Sequence, residues 1–171
     1  MLFWGLCSLF FGGLLGGYCR LRYAAKMLFL SWQQLVDLAL KKRELFHEMV
    51  LSFALPPFER EEEISFLRRV SAYSLQQFLK ASNEDFLTFY EMEQVFTFQL
   101  KRILAALKEL THEASTQDFI EELLAYENAF SFRAYAFEKA AETYVSLQNH
   151  LMVRLAGKFF GFPKVPLLSF S

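Results

Sequence analysis

The chain has 171 residues, 54% of them hydrophobic and 21 of them Phe, with a formal net charge of −1. That length suits one domain with a real core, and the near-neutral charge leaves no electrostatic footprint for nucleic acid. Cys7 and Cys19 both fall at the apolar N-terminal end, so neither a disulfide framework nor a thiol nucleophile can be read from them.

Leu2 to Tyr18 reads LFWGLCSLFFGGLLGGY, without a charge, and Arg20, Arg22 and Lys26 follow at once. A run of about 17 apolar residues rises roughly 25 Å as a helix, near the lower limit for crossing a bilayer's hydrocarbon core. Residues 1–19 are therefore expected to form a single transmembrane anchor, and residues 20–171 a helical-bundle domain with an apolar C-terminal tail. The uncharged N-terminus, and Tyr18 rather than a small residue before Cys19, argue against a cleaved leader. With its cations on the C-terminal flank, the anchor would hold the domain on the cytoplasmic side. Gly12 with Gly16 and Gly13 with Gly17 are small residues at spacing four, which suits self-association within the membrane.

Beyond the anchor the chain is nearly free of Gly and Pro, which predicts an all-α, antiparallel bundle of long helices. The first helix should continue to about Leu55, with Leu28, Trp32, Leu35, Ala39, Phe46, Met49 and Phe53 on one stripe and Lys42 interrupting it. Pro56-Pro57 should end it. A second helix is expected from Phe58 to about Lys80, with Glu59 and Glu61 to Glu63 at its positive end. A third should open at Ser82-Asn83 and carry Phe89, Phe96, Ile103 and Leu110 at sevens, with Glu93 as the interruption. The last helix should run from Ser115 or Thr116 to about Ala156, with Leu123, Phe130, Phe137, Tyr144 and Leu151 at sevens, and Gly157 should stop it.

Chemistry-bearing constellations are few. No phosphate loop and no Gly-x-Ser-x-Gly occurs in this sequence, and no catalytic residues are assigned. Glu44-Leu45-Phe46-His47 and Glu109-Leu110-Thr111-His112 are two Glu-x-x-His units, each placing a carboxylate and an imidazole on one helix face. Di-metal carboxylate bundles use two such units with two further glutamates, for which Glu59 to Glu63 and Glu127 are candidates. The opposing reading sets His47 beside the basic run Lys41-Lys42-Arg43 and His112 at a helix end. Neither position faces another in mid-bundle, and on that reading the metal set is empty and no cofactor is expected.

The C-terminal residues resemble a known family. Glu127-Asn128, Tyr144 and Ala156-Gly157-Lys158-Phe159-Phe160-Gly161-Phe162 are similar to the last helix and tail of LemA family proteins, and Ser31-Trp32-Gln33-Gln34-Leu35 and Lys41-Lys42-Arg43-Glu44-Leu45 to their first helix. The likeness is divergent: Val36 stands where the family favours Asp, and His47-Glu48 where it favours Pro-Asn. The resemblance implies a bacterial, membrane-anchored helical bundle with no established catalytic residue or cofactor. A non-enzymatic scaffold or interaction protein is the function expected, with the lipid bilayer and a protein as partners and Gly161, Phe162, Pro163 and Lys164 as a contact surface. A ferritin-like di-metal protein using Glu44, His47, Glu109 and His112 is the alternative.

Overall fold

A computed structural model describes the backbone of residues 2–52, 61–81, 83–110 and 114–170, and the side chains of 4, 7–52, 62–81, 83–105 and 117–170. The described residues form six helices: α1 (Leu2–Ser52), α2 (Glu61–Ser71), α3 (Leu75–Lys80), α4 (Asn83–Leu110), α5 (Ala114–Gln148) and α6 (Leu151–Phe159). All regular structure among them is helical, as the scarcity of Gly and Pro beyond residue 19 predicts.

α1 is the organising element. Its buried stripe runs through Leu21, Ala25, Leu28, Trp32, Leu35, Ala39, Lys42, Phe46 and Met49, alternating steps of three and four that keep one face inward. α5 lies antiparallel and closest to it. Small residues on both helices, Ala24, Ala25 and Ala39 against Ala134 and Ala141, let the axes approach. α4 stands further off, because Phe86, Phe89 and Phe96 fill its side of the core. Trp32 sits in the middle with its ring centroid 4.8 Å from those of Phe86 and Phe89 and 5.6 Å from that of Phe137. These contacts give an up-down-up-down bundle, with α2 and α3 together forming the second rod.

Three expected boundaries change. The second helix is broken at residues 72–74 rather than continuous, and Ser74 starts α3 with a reciprocal capping box to Gln77. The break aims Phe78 at Phe29 and Trp32. The last helix bends at Asn149-His150, where Asn149 N–H donates to Ser146 O and His150 N–H to Leu147 O. Leu151 is therefore 71% exposed instead of extending the Tyr144 stripe. Gly157 does not stop a helix; it lies buried inside α6, where a Cβ would meet Leu21 Cδ2 at 3.4 Å. The left-handed residue is Gly161, with φ 68°. Pro56-Pro57 falls outside the described residues.

Past Gly161 the chain runs back over the bundle. Pro163 O accepts from Tyr144 Oη at 2.8 Å and Gln148 Nε2 at 3.0 Å. The Phe170 N–H donates to Glu138 Oε1, and its ring reaches Phe89, Tyr90, Phe130 and Phe137. The tail is thus a packed strap along α4 and α5.

The expectation of a membrane-spanning helix over residues 1–19 finds no support. Among the described residues no helix is long and apolar enough to cross a membrane. Part of the apolar run also packs within the protein. Gly17 is buried against α6, where a Cβ would sit 3.0 Å from Met152 O, and Gly13 faces the Met152 side chain. One face of the second half of the apolar run packs on α6.

Gly17→Ala should destabilise the fold by about 1–3 kcal/mol through overpacking. Gly16→Ala meets nothing within 4 Å and should be neutral or stabilising by about 0.5–1 kcal/mol. Thermal unfolding followed by circular dichroism checks both. Burial raises the Tyr144 phenol above its ordinary range, the Gln148 contact opposing this more weakly. The neutral phenol is thus the form the fold keeps. Its contribution is complete below the unfolded phenol's pKa of about 10 and is lost as pH rises above that. Tyr144→Phe should flatten part of the alkaline fall in melting temperature, and should cost about 1 kcal/mol at neutral pH for the lost bond to Pro163.

Candidate functional site

Of the two Glu-x-x-His units only the first lies wholly among the described residues. Glu44 and His47 are exposed on α1 and open into a cleft of about 360 Å3 shared with Glu48, Ile64 and Arg68. Glu109 lies in the last turn of α4 with its side chain outside the described set, and His112 is outside it altogether. No group of three or more His, Cys, Asp or Glu able to hold a metal occurs among the described residues. Glu127, a candidate further ligand, is engaged elsewhere.

That engagement is the most unusual feature of the interior. Lys42 and Arg43 are fully buried, and Glu93 is 2% exposed. Arg43 Nη1 donates to Glu93 Oε1 and, at 3.2 Å, to Ala39 O. Lys42 Nζ lies 2.9 Å from Glu127 Oε2, which accepts its hydrogen bond. It is also 3.0 Å from Glu93 Oε2, an ion pair without hydrogen-bond alignment. Thr97 Oγ1 donates to the other Glu127 oxygen at 3.2 Å. Aromatic faces complete the enclosure: Lys42 Nζ is 3.9 Å from the Phe130 centroid, and the Arg43 guanidinium carbon 4.4 Å from that of Phe96. Two cations and two carboxylates balance within this cluster, while Arg43 Nε and Nη2 have no hydrogen-bond partner. Such a cluster is costly to desolvate, and its mutual contacts tie together the helices that carry it. It joins α1, α4 and α5 between two apolar cores, one around Trp32 and one around Phe46.

The sequence offered one signal for it. Lys42 and Glu93 are the single interruptions in two apolar stripes, and they carry opposite charge. Periodicity alone does not say that the two interruptions meet.

The second distinctive region is the α6 end. Trp4, Leu9 and Phe11 are 78%, 74% and 67% exposed, and Leu15 on α1 and Leu151, Phe159 and Phe160 at α6 are exposed as well. Tyr18 joins the two elements, its ring centroid 4.6 Å from that of Phe160 and 5.9 Å from that of Phe162. Residues 1–36 and 149–171 contain six Lys or Arg and no Asp or Glu, so this end is positive while the rest of the chain is acidic. Of the tail residues expected as a contact surface, Gly161 and Lys164 are exposed, but Phe162 and Pro163 are half-buried and seal the bundle.

The chain matches no known family model, no curated protein and no solved structure.

Glu93→Leu leaves buried Arg43 without a carboxylate and Lys42 with Glu127 alone, and should cost about 3–5 kcal/mol. Replacing Lys42, Arg43 and Glu93 together by Met, Met and Leu should recover most of that loss. Urea unfolding of the single and triple variants checks the pair, and equal instability of both would contradict the uncompensated charge as the cause.

Proposed function

We propose that the protein is a non-enzymatic, LemA-like helical bundle that docks on a bacterial membrane and presents its rods as an interaction scaffold. The carrying observation is the apolar surface exposed by the leading turns of α1, through Trp4, Leu9, Phe11 and Leu15, in a stretch of sequence whose charged residues up to Val36 are all cations. Exposed apolar patches of this kind, rimmed by positive charge, suit an interface that is oily at its centre and anionic at its edge. Arg20 and Arg22 follow Leu15 within two helical turns and Lys26 at about three, which places cations at the edge of the apolar turns, where lipid phosphates would lie. The leading turns of α1 enter the acyl region, and the charge bias keeps the bundle on the cytoplasmic face. The resemblance to the LemA family supports the same reading. The closed, charge-balanced interior cluster supports a structural role for the buried ionisable groups rather than catalysis.

Flotation of the full chain on vesicles of phosphatidylglycerol and phosphatidylcholine tests the proposal. The protein should float with the vesicles, and Leu9→Glu with Phe11→Glu should reduce binding at least tenfold while leaving the helical signal intact. A wild-type chain that stays in the dense fraction as a dissolved monomer would overturn the reading.

A further inference from the structure

The bend at Asn149-His150 creates a second feature beside the apolar end. The last turn of α5, α6 and the returning tail enclose a cleft of about 610 Å3. Arg154 and Lys158 line it from α6, four residues apart and so on one helix face, and Lys164 lines it from the tail. Gln148 and Asn149 add amides, and Val145 and Val165 belong to the apolar wall. No acidic residue lines the cleft. None of the three cations forms an ion pair among the described residues, whereas Lys42, Arg43, Arg69 and Lys139 all do.

Three cations that converge on a concavity without a counter-charge repel one another, and an anion placed among them removes that repulsion. Arg supplies a planar fork for phosphate oxygens, and the lysines supply point charges. We propose that this cleft is a binding site for a phosphate-bearing anion, held by Arg154, Lys158 and Lys164. Exposed Phe159 ends the same helix and exposed Phe160 caps it, so an anionic lipid whose headgroup enters the cleft would have its chains near an apolar surface. A soluble phosphate ester offers the same chemistry without the chains. The assignment deepens the membrane-docking reading, but binding of phosphate itself does not depend on that reading.

The test uses the full chain in neutral detergent. Amide NMR shifts at Val145 and Val165 are followed while glycerol phosphate is added. Saturable shifts are expected, and they should weaken at least tenfold in Arg154→Gln with Lys158→Gln. Lys164→Gln, which leaves α6 untouched, should weaken them as well. Arg20→Gln with Arg22→Gln removes equal charge from the same end outside the cleft and should leave the titration unchanged. Absence of saturation, or an equal loss in the Arg20 and Arg22 variant, overturns the site. Vesicle flotation then separates the sources. Preference for phosphatidylglycerol over phosphatidylcholine that disappears in Lys164→Gln assigns a lipid headgroup. Saturable glycerol phosphate binding without that preference assigns a soluble ester. Failure of flotation with an intact titration would sink the docking proposal and leave the cleft standing.

Discussion

One continuous helix sets the terms for every other element. α1 is 51 residues long, about 77 Å at the usual rise, and its buried face meets α2, α3, α5 and α6 along its length. The stripe stays straight because its steps alternate between three and four residues. A helix of that length gains little from its own propensity and depends on the partners lined up along it. Small residues draw α5 close, and large aromatic ones hold α4 away. The space that results is filled by Trp32 on one level and by Phe46 on another.

Between those two levels the core is polar. Apolar layers tolerate sliding by a turn, since one Leu or Phe can replace another at a similar position. A buried Lys42 and Arg43 cannot slide, because every alternative register would separate them from Glu93 and Glu127. The cost of desolvating four charged groups is set against their mutual attraction and against the rings of Phe96 and Phe130. The cluster therefore contributes alignment more than net stability.

The two ends of the molecule differ in kind. Toward the end of α1 and the start of α5 the surface is acidic on balance, as the rest of the chain must be when six cations are gathered elsewhere. At the α6 end, charge and exposed apolar surface coincide. The strap formed by the tail closes the groove of α4 and α5, so it converts residues that look like an unattached oily terminus into part of the core. What remains open there is the leading part of α1, one side of α6 and the cleft between α6 and the tail.

Local rules were enough to read the helical class, the stripes of α1, α4 and α5, and the start of α4 at Asn83, because each depends on neighbours three or four residues apart. The same rules placed the α1 face correctly through Met49 and misread the ends. Nothing in the neighbourhood of Asn149 distinguishes a bend from a continuing helix; the bend is held by Val153 and Ala156 burying against α1, more than a hundred residues away in sequence. The glycines at 13 and 17 read as a helix-packing surface within the membrane until α6 is seen lying across them. Lys42 and Glu93 read as two separate flaws in apolar patterns, and only the packing of α1 beside α4 makes them partners. Helix and stripe were properties of the sequence itself, since they arise from short-range periodicity. Bend, strap, charge cluster and cationic cleft were decided by tertiary structure, since each needs groups that only folding brings within a few ångströms.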